Sequence, residues 1–177
     1  MGSLAESGQS HNPFKDRQVC KGLTHKDLVM FVGLDYKTIV HERLYALGVL
    51  EEGERLDFNF PPGRHDNSDA FYLWEGTIGD DWIFVSFINK NGRTSEHVHP
   101  HSEKKIVEEY HLLKGRMNLH LGKDGSLGTR ELNEKDNFMQ VPPGLAHSGS
   151  TSEEIGFAII RMRNSASIHR DQLHLPV

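Results

Sequence analysis

Between residues 97 and 147 the chain spaces histidines and one glutamate in a pattern that suits a metal site. The first run is His97-Val98-His99-Pro100-His101, followed by Glu108 and Gly115, and the second is Pro142-Pro143-Gly144-Leu145-Ala146-His147. Residues two apart on a strand face the same side, so His97, His99 and His101 share one parity. Glu108 and the distant His147 can close such a set into a four-ligand site for one divalent metal, with positions left open for a substrate. Three imidazoles and a carboxylate suit Fe, Mn, Ni, Zn or Co and do not choose among them. Imidazole must be neutral to bind a metal, so binding is expected to weaken as pH falls below the histidine pKa.

The bulk of the sequence narrows the setting. The chain has 177 residues, a formal net charge of -5 and 25% charged residues. That length suits one domain with a real core, or one domain plus an extension. No basic block runs along it, so no nucleic-acid surface is expected. Twelve histidines are the compositional outlier, and no run of consecutive histidines accounts for them. Cys20 is the only cysteine, which excludes an intramolecular disulfide and a cysteine-based zinc finger. No apolar run approaches the roughly 20 residues that span a bilayer. The polar start of the chain lacks the apolar centre of a secretory signal. A cytoplasmic protein with no membrane partner is the expectation.

Four segments are expected to position the histidines: a mobile N-terminal segment 1–22, a helical extension 23–55, a strand-rich body 56–163 and a C-terminal tail 164–177. Thr24 is the predicted cap of a helix over His25 to Val32. Asp35 is the predicted cap of a second, over Tyr36 to Leu47, with Ile39, Leu44 and Leu47 as its apolar stripe and Gly48 ending it. Both helices are expected to pack on one face of a sheet. From Leu56 the pattern turns to strands. Leu56, Phe58 and Phe60 alternate with polar residues, and Phe71 to Glu75, Asp81 to Ile88, His97 to His101, Val107 to Leu113, Arg116 to Leu121, Thr129 to Leu132, Asn137 to Val141 and Ile155 to Met162 follow. Turn signals such as Asn91-Gly92 separate them. Short strands at this spacing indicate an antiparallel sandwich or barrel, a mainly all-β fold.

The two motifs together resemble the cupins, a superfamily of small jelly-roll β-barrels. The run from Gly92 through H-x-H to Glu108 and Gly115 resembles the first cupin motif, and Pro142 to His147 resembles the second, with Asp136 leading into it. The resemblance implies a metal held inside the barrel by two histidines and the glutamate of the first motif and by His147. The H-x-H-P form favours His97 with His99, while the shorter gap to the glutamate favours His99 with His101. Thr151 stands where an asparagine often follows the second motif. Glu108, Tyr110 and Leu112 share a parity, with Glu108 expected to face inward, and Glu109 and His111 have the opposite one.

A small polar, hydroxylated or carboxylated molecule is the expected substrate. The Glu108-x-Tyr110 pair and the wide gap before it are similar to archaeal-type cupin sugar-phosphate isomerases. That similarity puts metal-assisted proton transfer first, of isomerase, epimerase or lyase type. Tyr110, Glu109 and whichever of His97 and His101 is free of metal are the candidate acid–base groups. Lys104, Lys105 and Arg116 are read as an ordinary charged loop rather than a phosphate site. An Fe(II)-dependent dioxygenase is the second reading and a non-catalytic metal- or ligand-binding barrel the third. A homodimer is expected, because the strand edges of a jelly roll need protection.

Overall fold

The structure, a computed structural model, describes residues 25–33, 35–60, 62–64, 69–99, 106–165 and 173–174. Two helices come first, α1 (His25–Val32) and α2 (Tyr36–Ala46). The strands follow as β1 (Gly63–Arg64), β2 (Ala70–Ile78), β3 (Asp81–Ile88), β4 (His97–Val98), β5 (Val107–Gly115), β6 (Met117–Leu121), β7 (Gly128–Leu132), β8 (Phe138–Val141), β9 (His147–Ser150), β10 (Gly156–Arg163) and β11 (Leu173–His174).

Helix α2 stops where the sequence says it should. Gly48 takes a φ of +65°, its amide donates to the Tyr45 carbonyl, and the Val49 amide reaches back to the Leu44 carbonyl. This pair of bonds is the Schellman arrangement, which glycine favours because it has no Cβ to clash. The start of the helix corrects the expectation. Asp35 makes no side-chain bond to the helix, and Thr24 lies outside the described residues. The buried stripe is Tyr36, Val40 and Leu44 at intervals of four, while Ile39 and Leu47 are only half-buried.

The strands form two antiparallel sheets. One has the order β1-β2-β3-β10-β5-β8 and the other β11-β4-β9-β6-β7. Both faces of the first sheet are covered, which explains the nearly unbroken apolar run of β3. Ile83, Val85 and Phe87 pack under the helices with Leu28, Val40 and Leu44, and Phe157 and Ile159 of β10 join them. The opposite parity faces the interior, where Ile88, Leu112 and Ala158 meet Met117, Leu119 and Leu132 of the second sheet. Each fully buried side chain of this size contributes roughly 1.5–3 kcal/mol. No backbone pairing joins the two sheets among the described residues. The barrel expected from the sequence is therefore a pair of facing sheets rather than a closed ring of strands.

Other differences have local causes. Leu56 to Phe60 is not a strand. Leu56 and Phe58 instead pack on the helix-side core, Phe60 is exposed, and Asn59 donates a single backbone bond to the Leu73 carbonyl. A bulge in β2 shifts the register between Tyr72 and Trp74, so Leu73 and Trp74 both join the helix-side core. Strand β9, which begins at His147, is hidden in the sequence by its small residues His-Ser-Gly-Ser. The aperiodic tail supplies β11, which pairs with β4.

Gly115 marks the passage from the first sheet to the second. Its φ is +80°, and a Cβ placed there would sit 1.7 Å from the Ile155 carbonyl oxygen. Gly48 is equally left-handed, but a Cβ there would meet nothing within 4 Å. Gly115→Ala should therefore cost about 3 kcal/mol or more, and Gly48→Ala only about 1 kcal/mol. Urea unfolding of the two variants checks this, and similar losses for both would show that no steric demand exists at Gly115.

Candidate metal centre

Four side chains from three strands and one loop meet in the interior. His97 of β4 stands opposite His147 of β9 in the ladder, which places both on one face. His99 follows two residues later with the same parity. Glu108 extends from β5 of the facing sheet. One donor atom from each of His97, His99, Glu108 and His147 lies within 4.8 Å of all the others, and all four residues are buried. The Nε2 atoms of His147, His99 and His97 are 2.5, 2.9 and 3.7 Å from the same Glu108 oxygen, Oε2.

The outer ring nitrogens decide the protonation pattern. His97 Nδ1 lies 3.0 Å from the Ser95 carbonyl oxygen, and His147 Nδ1 lies 2.9 Å from that of Leu145. A carbonyl can only accept, so both Nδ1 atoms carry the proton. In the neutral rings each Nε2 then turns a lone pair toward a carboxylate oxygen. Lone pairs at these separations repel unless a cation, either a proton or a metal, sits between them. Carbonyls that fix the outer nitrogen also orient imidazoles toward a metal. The donor set fits a divalent ion on these grounds. His99 Nδ1 is the exception, buried with no partner among the described residues.

Charge follows the same geometry. Burial alone would raise Glu108, but the charge of His147 and the bonds from His147, His97 and His99 outweigh it and hold the carboxyl well below its usual range. Burial alone would lower His147, yet Glu108 wins and raises it. For His97 burial wins, and the ring is pushed below its ordinary value. Tyr110 stands beside the cluster, its ring 6.2 Å from that of His147 at 88°. Burial, and then the adjacent Glu108 carboxylate, push its phenol well above the ordinary value.

The second motif holds itself in place through its backbone. Gly144 has a φ of +77°, and the Leu145 amide closes the turn onto the Pro142 carbonyl. The Gly144 amide donates to the His99 carbonyl at 2.9 Å, which ties one histidine run to the other. Thr151, the departure from the motif, accepts a bond from the Gly92 amide and donates to the Asn89 carbonyl, so it pins the turn that leads into the first run.

Other expected residues fall elsewhere. His101, Lys104 and Lys105 lie outside the described residues. Glu109 is on the opposite face of β5, paired with Arg161 and Arg163 and 3.4 Å from His111, so it does not reach the cluster. The outward parity of Glu109 and His111 suggests solvation, yet both are buried. Arg116 pairs with Glu131. Sequence reasoning missed Glu75, a buried carboxylate paired in register with the interior residue Phe84. The β2 bulge reverses its parity, and nothing local in the sequence announces that bulge.

No protein-family model matches the chain, and no curated protein is similar to it in sequence. Solved structures do resemble it. The polyketide cyclase RemF from Streptomyces resistomycificus is 17% identical with a TM-score of 0.53, over 72% of this chain and 87% of that one. Oxalate decarboxylase from Lactobacillus farciminis, as its formate complex, is 13% identical with a TM-score of 0.51, over 75% of this chain and 40% of that one. A Klebsiella pneumoniae protein described as having a double-stranded beta-helix domain is 16% identical with a TM-score of 0.49, over 64% of this chain and 90% of that one.

Metal should stabilise this protein in a pH-dependent way. At a free metal level of about 100 Kd the gain is about 2.7 kcal/mol. Because His147 is raised, protons compete for its Nε2 at a higher pH than for an ordinary histidine. The gain should therefore shrink as pH falls through that raised value. In the metal-free protein the attraction between protonated His147 and Glu108 runs the other way. It is complete below the ordinary histidine value of 6.5 and fades as pH rises through the raised one. Thermal unfolding with and without Co(II) across this range checks both signs. Glu108→Gln should weaken Co(II) binding by about 100-fold or more, and unchanged affinity would remove Glu108 from the site.

Proposed function

We propose that this chain, which has the double-stranded β-helix fold of the cupins, is a divalent-metal-dependent enzyme. Its reaction would be proton transfer on a small hydroxylated or carboxylated substrate, of the isomerase, epimerase or lyase type. The observation that carries this reading is the buried phenol of Tyr110 beside the cluster of three histidines and Glu108.

A divalent metal held by His97, His99, Glu108 and His147 would supply Lewis-acid polarisation of a substrate oxygen. The chain's own groups supply the rest. Tyr110 keeps its proton at neutral pH, because its value is pushed well above the ordinary one. It is therefore a hydrogen-bond and proton donor to an oxygen that gains negative charge, not a base, and the proton leaving carbon would pass to hydroxide from solvent. The Nδ1 bonds to the Ser95 and Leu145 carbonyls keep His97 and His147 from rotating as substrate enters. Burial lowers the local dielectric, which strengthens every charge interaction in the site. Glu109 has no part here, since it faces the other side of β5. A polyketide cyclase and an oxalate decarboxylase are among the proteins of similar fold, and their names agree with bond rearrangement on oxygen-rich substrates.

The test is solvent-deuterium exchange. Metal-loaded protein is incubated in D2O, without oxygen, with a panel of small keto acids, hydroxy acids and sugar phosphates, and read by NMR. Deuterium should enter a C–H position of at least one substrate class. Tyr110→Phe should slow that exchange by about 10²–10⁴-fold without changing metal content. Turnover that occurs only with Fe(II) and consumes oxygen would overturn this reading in favour of a dioxygenase.

A further inference from the structure

The bulge in β2 puts an acidic and aromatic wall inside the first sheet. Tyr72 stands opposite Ser86 of β3, and beyond the bulge Glu75 stands opposite Phe84. A regular strand would send residues 72 and 75 to opposite faces. The extra residue gives them the same one, and bulges beside functional sites re-aim side chains in this way. Phe84 packs with Tyr72 and Trp82 at ring separations of 4.9 and 6.1 Å. Glu75 and all three rings are buried. The wall adjoins the histidine cluster. Met162 of β10 stands between Trp82 and Glu108, and Ile160 stands between Phe84 and Tyr110. Two strand spacings, about 10 Å along the sheet, therefore separate Trp82 from Glu108 and Phe84 from Tyr110. The Tyr72 phenol also adds to the upward push on Tyr110, behind burial and Glu108. The cations of β5 and β10 are engaged elsewhere: Lys114 pairs with Glu134, Arg161 with Asp81 and Arg163 with Glu109.

We propose that Glu75 and the rings of Tyr72, Phe84 and Trp82 form a subsite for a cationic end of the substrate, an ammonium or other onium group. The substrate would then carry a hydroxyl or carboxylate at one end and a positive charge at the other. Which end reacts rests on the metal reading of His97, His99, Glu108 and His147, while the subsite stands on the wall itself. Aromatic faces attract a cation through their quadrupoles, more strongly where water is displaced, and quaternary ammonium groups are the best-attested ligands of such rings. The Glu75 carboxylate acts on the same charge, and a low dielectric strengthens its pull. A phosphate has the wrong sign for this wall. Amino alcohols and zwitterions therefore fit the interior better than sugar phosphates do.

Choline and its uncharged isostere, 3,3-dimethyl-1-butanol, are the probes. Both are titrated by calorimetry into the full chain, with and without Co(II). Choline should bind at least about tenfold more tightly than the isostere. Glu75→Gln keeps the size of the side chain and should cut that preference to about threefold or less, with Co(II) uptake unchanged. Phe84→Leu and Trp82→Leu should each weaken choline by about threefold to tenfold and leave the isostere nearly unaffected. Circular dichroism confirms that each variant is folded. Equal affinity of the original chain for the two probes overturns the proposal, and so does binding of neither. A preference for choline that survives both Glu75→Gln and Phe84→Leu overturns it as well, since the charge would then be read elsewhere. A chain that prefers choline and takes up no Co(II) keeps the subsite and overturns the metal reading alone.

Discussion

A carboxylate with three imidazoles crowded on one oxygen is the constraint around which this protein is arranged. Glu108 is 2% exposed, and an ionised carboxylate so far from water is tolerated only where positive charge or strong donors replace its hydration. The ring tautomers sharpen that demand. Two of the three histidines commit their Nδ1 proton to backbone carbonyls, so what they offer Glu108 is a lone pair. The cluster is therefore stable only with a cation inside it. A proton shared between His147 and Glu108 meets the need in part, which is why the two pKa values move in opposite directions. A divalent metal meets it for all four residues at once.

The rest of the fold brings those residues to one point and keeps them there. Alternation along β5 sends Glu108 and Tyr110 into the interior and Glu109 and His111 away from it. Pairing of β4 with β9 sets His97 beside His147. The first sheet is braced from behind by the helices, whose contact side chains Leu28, Val40 and Leu44 are fully buried. The loops are tied down by backbone bonds rather than by side-chain chemistry, as at Gly144 to His99, with Thr151 adding a side-chain tie to the Asn91-Gly92 turn. Small shifts in any of these would move a ligand atom, since each histidine is fixed at both ring nitrogens or at the chain beside it.

Much of this was legible in the sequence because it depends on local rules. The two-residue parity of His97 and His99, the parity of Glu108 with Tyr110, and the stop at Gly48 follow from periodicity and from the freedom of glycine. What was not legible depends on partners far away in the chain. The bulge in β2 turns Glu75 inward for reasons of pairing with β3. Strand β9 has no apolar alternation and exists because β4 and β6 pair with it. Glu109 and His111 are buried through contacts with Arg161, Arg163 and Phe138 that no local pattern specifies. The competing choice between His97 and His101 had equal support from strand parity. The structure assembles His97 with the other three residues through a ladder register that only the folded sheet defines, while His101 lies outside the described residues.

The central claim is that these four side chains share one cation, and X-ray absorption at the metal edge examines it most directly. Protein loaded with one equivalent of Co or Fe should give a first shell of nitrogen and oxygen at about 2.0–2.2 Å. The outer shells should carry the multiple scattering of at least three imidazoles. A first shell without imidazole scattering, in protein that still holds the metal, would contradict the account.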